Sequence, residues 1–230
     1  MKSQTSFKLS FIILLGAAAS IANNGIMWLT SIFSLGLYLD TIFTISVVFL
    51  AGLLPGIICA ILTTFIYSFI YFLVWGTPYY WVWYFYIICS IAAVLLVKFF
   101  ARYFPEEYKI VQIGEKSGFS ITGKQQFFGI IIMLTILSVV MCILMSVLGG
   151  LISAAINMSG NDIPQTIPPE TWLRMGFIRQ GFSLFASEIL GRIPVNMADR
   201  PISVFIGYAA AFLIKKLFTR FGKAFAAKLP

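Results

Sequence analysis

Between Phe127 and Ile156 the chain runs for thirty residues without one charged side chain. As a helix that run would extend about 45 Å, against about 30 Å of hydrocarbon in a bilayer. It is therefore expected to project, tilt or bend, with Gly149-Gly150 as the weak point. Five more apolar stretches recur along the sequence, at 9–29, 38–54, 56–75, 80–98 and 201–218. Sixty per cent of the residues are hydrophobic and only 10% charged, where a soluble domain carries roughly 25% charged residues. No polar stretch is long enough to form a soluble domain, so residues 1–230 read as one membrane domain. The fold class is all-α: a polytopic membrane protein built as a six-transmembrane-helix bundle.

A net charge of +8 raises nucleic acid as a partner, but its distribution points elsewhere. Twelve of the sixteen basic residues lie at Lys2 and Lys8, from Lys98 to Lys124, and from Lys215 to Lys228. Those are the segments that six spans with cytoplasmic termini leave inside, as the positive-inside rule requires. Residues 99–126 are then a cytoplasmic loop and both termini are cytoplasmic. The first apolar stretch competes with a cleavable signal peptide, since Ala17-Ala18-Ala19 resembles a cleavage site. Cleavage would leave an odd number of spans, whereas the charge asymmetry fits an even one.

Pro55-Gly56 predicts a tight, uncharged break between the second and third spans. Tyr79, Tyr80, Trp81, Trp83, Tyr84 and Tyr86 form an aromatic belt at the start of the fourth span, a placement that suits the headgroup level. Residues 157–200 read as an outer polar segment. Its part from 172 to 200 is apolar enough for a helix but carries Arg174, Arg179, Glu188, Arg192, Asp199 and Arg200. At 100° per residue these charges fall on two ridges, which does not suit a helix surrounded by lipid. It is read as an extra non-spanning outer helical segment, with the last span starting at Pro201.

Nothing in the chain supplies catalytic equipment. There is no histidine, hence no side chain with an ordinary pKa near neutrality to act as general base. Cys59, Cys89 and Cys142 lie singly in apolar stretches without metal-ligand spacing. The run from Gly118 to Gln125 approaches a phosphate-binding loop, but Gln125 stands where a magnesium-holding Ser or Thr is needed and no strand precedes it. The chain is read as a non-enzyme without metal or cofactor.

Several polar residues sit at membrane depth or at its edge. Asp40 is a lone carboxylate at the start of the second span, either functional or an acid favoured by a helix N-terminus. Asn23, Asn24 and Trp28 either line a pocket or bond to the adjoining loop. Glu188 and Arg192, spaced i, i+4, either pair with each other or, with Arg179, Asn196, Asp199 and Arg200, wall an external ligand site. In the second case Arg179 or Arg192 would receive an anionic group. Ala18 and Ala22, continued by Gly25, form a small-residue stripe that serves internal packing or a partner helix equally well.

The Ala18-x-x-x-Ala22 helix, the segment Gly36-Leu37-Tyr38-Leu39-Asp40 and Gly52-Leu53-Leu54-Pro55-Gly56 together resemble the substrate-binding S components of energy-coupling factor (ECF) transporters. The ending Asn196-Met197-Ala198-Asp199-Arg200-Pro201-Ile202-Ser203-Val204, with Lys215-Lys216 beyond it, is also similar to that superfamily. Related vitamin-uptake-like membrane sensor domains share the pattern. The resemblance covers essentially the whole chain and implies a bacterial inner-membrane protein. It implies a vitamin or micronutrient bound near the extracellular face, and a transmembrane coupling subunit attached to ABC-type ATPases. Ala18 and Ala22 would then contact the coupling subunit. Trp28, Tyr38, Tyr80, Trp83, Arg179 and Asn196 join Asn24, Asp40, Glu188 and Arg192 as candidate ligand contacts. The Arg-bearing segment from 172 to 200 departs from a typical S component. A ligand- or lipid-sensing domain that signals through a partner is the alternative function.

Overall fold

Seven α-helices and one 3-10 turn, with no strand, make up the described residues of the computed structural model, which are 2–75, 81–103, 124–159 and 168–226. The helices are α1 (Lys2–Ile32), α2 (Ile42–Ala51), α3 (Leu53–Trp75), α4 (Ile87–Tyr103), α5 (Lys124–Met158), α6 (Pro168–Arg179) and α7 (Leu184–Ala226), with the 3-10 turn at Trp81–Tyr86 leading into α4. Most of the expected loop 99–126 and part of the outer segment lie outside the described residues.

Five helical stretches are long and apolar enough to cross a membrane: Leu9–Ile32, Leu53–Val74, Val82–Tyr103, Phe127–Met158 and Leu184–Leu217. The chain is thus a polytopic membrane protein. Large apolar side chains such as Leu14, Ile21, Leu73, Leu95, Ile143 and Leu213 are exposed along these stretches, where hydrocarbon in place of water removes the cost of exposing them.

The second of the six expected spans is not a full one. Helix α2 has ten residues, about 15 Å of rise and half of a hydrocarbon core. Residues 38–41 are not helical, and the helix stops at Gly52, whose φ of 91° is left-handed backbone that suits glycine. The break therefore falls at Gly52 rather than at Pro55-Gly56. Pro55 lies in the first turn of α3, where its missing N–H has no helical acceptor to lose.

Short as it is, α2 sits at the centre. Ile45, Val48 and Leu50 pack with Val94 and Val97 of α4, Leu137 and Met141 of α5 and Val204 of α7 in one buried core. Phe49 meets Tyr208 edge to face at 5.3 Å. Ser46 donates to the Gly207 carbonyl at 2.8 Å, and a Cβ on Gly207 would stand 2.8 Å from the Ile42 oxygen. Backbone contact between α2 and α7 depends on that missing side chain.

Helix α5 continues unbroken through Gly149-Gly150. The two glycines serve close packing: a Cβ on Gly150 would come 2.6 Å from Ile189 Cγ1 and 2.8 Å from Ile189 Cα on α7.

The largest correction concerns residues 172–200. The last span does not start at Pro201. Helix α7 is continuous from Leu184 to Ala226, through Pro194 and Pro201. The polar half of α7 is not outside the bundle, because its charged ridge faces protein instead of lipid. Glu188, Arg192, Asn196, Asp199 and Arg200 are all buried, and each charge has an ionic partner. Of the expected non-spanning outer segment, α6 alone is a separate short helix among the described residues, folded back on α7 by the turn after Arg179, where Gly181 adopts a φ of 89°.

Candidate ligand-binding site

Helices α6 and α7 run antiparallel in close contact, since a Cβ on Gly191 would lie 3.2 Å from the Glu170 oxygen and the Arg174 nitrogen. Each helix presents a Glu followed four residues later by an Arg. The alternative in which Glu188 and Arg192 pair along one helix is not what the structure adopts. Arg174 Nη1 lies 2.7 Å from Glu188 Oε1, and Arg192 Nη2 lies 2.8 Å from Glu170 Oε1. Glu188 is 1% exposed and also accepts from Ser153 Oγ at 2.9 Å and Asn157 Nδ2 at 2.7 Å, both on α5. Three helices are thereby joined at one carboxylate.

One turn further, Arg192 donates to the hydroxyls of Tyr38 at 3.2 Å and Tyr86 at 3.3 Å, while the Tyr38 hydroxyl donates to Glu170. Burial pushes the Tyr38 phenol well above its ordinary pKa of 10, so it remains a donor at neutral pH. Two turns further, Arg200 donates to Thr41 Oγ1 at 3.0 Å and to Asn196 Oδ1 at 3.1 Å, and pairs with Asp199 at 2.7 Å. Asp199 also accepts from the Leu39 N–H at 2.7 Å, which anchors the stretch before α2. Asn196 donates to Ser146 at 2.9 Å.

These groups border a cavity of about 210 Å³, roughly fifteen times the space that one water needs. Tyr38, Asp40, Glu170, Arg192, Asn196 and Arg200 form its charged and polar side. Tyr67, Trp83, Tyr86 and Met27 contribute aromatic and apolar surface, with Thr63, Thr64 and Ser90 between them. Tyr67 and Trp83 stack with centroids 5.8 Å apart and planes 29° apart.

Of the ten residues singled out as ligand contacts, the structure brings Tyr38, Asp40, Trp83, Arg192 and Asn196 to the cavity. Tyr80 lies outside the described residues. Asn24 does not line the cavity; it is buried one turn deeper, donating to the Ser20 and Thr63 carbonyls. Neighbouring Asn23 bridges α1 to Thr44 and to the Phe43 N–H, both at 2.9 Å. Trp28 is not a lining residue either, because Met27, Thr30 and Ser31 carry the cavity face of α1, at i, i+3 and i+4. Arg179 is exposed at the end of α6, away from the cavity. Glu188 sits behind the wall as a brace. Ala18 and Gly25 are exposed on α1, and nothing lies within 4 Å of a Cβ built on Gly25.

Glu170 and Ser153 are wall residues beyond those the sequence marks, and Asp199 and Arg200, expected in the outer segment, are buried in the bundle. The available signal was the i, i+4 Glu–Arg repeat in both 170–174 and 188–192. Among the described residues no group of three His, Cys, Asp or Glu side chains is placed to hold a metal ion. No family model, no curated protein and no solved structure matches the chain, so what the cavity accepts has to be read from its own residues.

Proposed function

We propose that this polytopic membrane protein binds a small molecule in the cavity between α1, α3–α4 and α6–α7, as the substrate-binding subunit of an uptake transporter of the ECF type. The observation that carries the reading is the cavity itself: about 210 Å³ lined by aromatic rings and by residues of the buried ion pairs. A few fixed polar groups facing apolar and aromatic surface is the composition of small-molecule sites. The ion pairs hold those polar groups in place, so little ordering remains for the ligand to impose.

Helix α6 covers the site and supplies Glu170 and Thr171 to its wall. It is anchored through α7 by the Arg174–Glu188 and Arg192–Glu170 pairs. Energy for uptake would come from a membrane coupling subunit and its ABC-type ATPases. The outward position of Ala18 and Gly25 favours a partner helix over internal packing for that stripe. The basic loop and C-terminal segments support a cytoplasmic placement for the end of the bundle opposite the ligand.

The test is mass spectrometry of small molecules that copurify with the full chain in detergent, comparing wild type with Thr64→Trp, which fills the cavity. A compound retained by wild type and absent from the variant is the expected result. Equal recovery from both would remove the cavity as the site. Association with a coupling subunit is tested by pull-down of wild type against Ala18→Trp combined with Ala22→Trp, and unchanged recovery would remove that stripe as the contact.

A further inference from the structure

The ion-pair network around the cavity does not balance. Among the described residues, Arg174, Arg192 and Arg200 face four acids: Glu170, Glu188, Asp199 and Asp40. Three of the acids each hold an arginine at 2.7 to 2.8 Å. Asp40 is the fourth, sharing Arg200 with Asp199 and standing 3.5 Å from it. Its side chain is also the most exposed of the four, at 29% against 14% or less for the others, and it lines the cavity.

Two consequences follow from this arrangement. A partly buried carboxylate that only shares an arginine at 3.5 Å is incompletely compensated, and a cation placed beside it lowers that cost. An anion, by contrast, would meet guanidiniums whose charge is already compensated. Arg192 is paired with Glu170 and Arg200 with Asp199, so an anion gains less at either arginine than it would at an unpaired one, although Arg192 Nε has no hydrogen-bond partner of its own. The anionic group that Arg192 was expected to receive is therefore supplied by the protein. Trp83 and Tyr67, stacked on each other, also line the cavity, and aromatic rings carry negative potential on their faces, which suits a cation or a planar body attached to it.

Resting on the cavity-binding reading above, we propose that the ligand is a small organic cation with a planar body. Its positive group sits against Asp40 and its body against Trp83 and Tyr67.

The test uses the purified full chain in detergent and three probes of one shape: benzyltrimethylammonium, benzyl alcohol and benzoate. Binding is followed by tryptophan fluorescence and by thermal stabilisation. Benzyltrimethylammonium is expected to saturate a site closed by Thr64→Trp and to bind more tightly than either other probe. Asp40→Asn should weaken it by about tenfold, equivalent to about 1.4 kcal/mol, while Asp40→Glu retains it. Binding of benzoate or benzyl alcohol at least as tight as that of the cation would overturn the cationic class in wild type alone, whatever the variants do. So would an Asp40→Asn protein of unchanged melting temperature and unchanged affinity. In both cases the cavity still binds a probe and the reading of the cavity as a binding site stands. Saturation by none of the probes, with no copurifying molecule, removes both.

Discussion

Arg192 Nη2 lies 2.8 Å from Glu170 Oε1, and four residues back along α7 the mirrored pair Glu188 and Arg174 meets at 2.7 Å. Because α6 and α7 are antiparallel, two identical Glu-x-x-x-Arg steps satisfy each other crosswise. The hairpin so formed closes one side of the cavity and makes α7 electrically acceptable inside the bundle.

Removing one member of such a pair strands the other. Glu170→Gln is expected to destabilise the detergent-solubilised protein by about 3 kcal/mol, the lower end for breaking a buried pair. Combining it with Arg192→Gln should cost less than the sum of the single changes, by roughly 0.5–3 kcal/mol. Denaturant titration of the four proteins measures the coupling, and strict additivity would show that the contact carries no energy.

Glu188 accepts from Ser153, Asn157 and Arg174. Glu188→Ala leaves all three without their acceptor and is expected to be more damaging than Glu188→Gln, which keeps an acceptor oxygen. Ser153→Ala removes only one hydrogen bond and should cost about 1 kcal/mol. Melting temperatures in a single detergent rank the three, and an alanine as mild as glutamine would refute the bracing role.

Gly207 and Gly25 are a matched pair of opposites. A Cβ at Gly207 would meet the Ile42 oxygen at 2.8 Å and Ile45 Cβ at 2.9 Å, whereas one at Gly25 meets nothing within 4 Å. Gly207→Ala is expected to lower stability by about 1–3 kcal/mol through overpacking. Gly25→Ala should leave it unchanged or raise it by a few tenths of a kcal/mol, from helix propensity. A stable Gly207→Ala protein would mean that α2 and α7 can separate at no cost.

Tyr38 gives a dependence on pH. Burial raises its folded pKa above 10, so the unfolded chain releases that proton first as pH rises. Stability from this group is complete below about pH 10 and falls above it, because the folded state then binds more protons than the unfolded one. The difference in unfolding free energy between wild type and Tyr38→Phe should be constant from pH 7 to 9 and shrink above about pH 10. A difference that grows with alkalinity would reverse the assignment.

Much of this protein could be read from one dimension. Whether a stretch prefers hydrocarbon is nearly a sum over its own side chains, so Phe127 to Ile156, the first span and the third were identifiable without knowing their neighbours. The absence of histidine is likewise a property of the sequence, whereas the outward position of Ala18 and Gly25 was decided by how α1 packs. Tyr38, Asp40, Trp83, Arg192 and Asn196, which line the cavity, stood out as charged groups beside apolar stretches or as contacts that the resemblance to S components implies.

What required the tertiary structure was every question about partners. Asp40 was visible as an acid, but its position 3.5 Å from an arginine 160 residues away was not. Residues 184–200 looked unfit to span because charge in lipid is prohibitive, and that penalty is correct for an isolated helix. It is offset when Glu170 and Arg174 come from α6 to meet Arg192 and Glu188, and when Arg200 pairs with Asp199 and reaches Asp40. Hydropathy is additive along a sequence and determined that this chain lives in a membrane; electrostatic pairing depends on distances in space, and only the fold decided which charges lie inside the helix bundle.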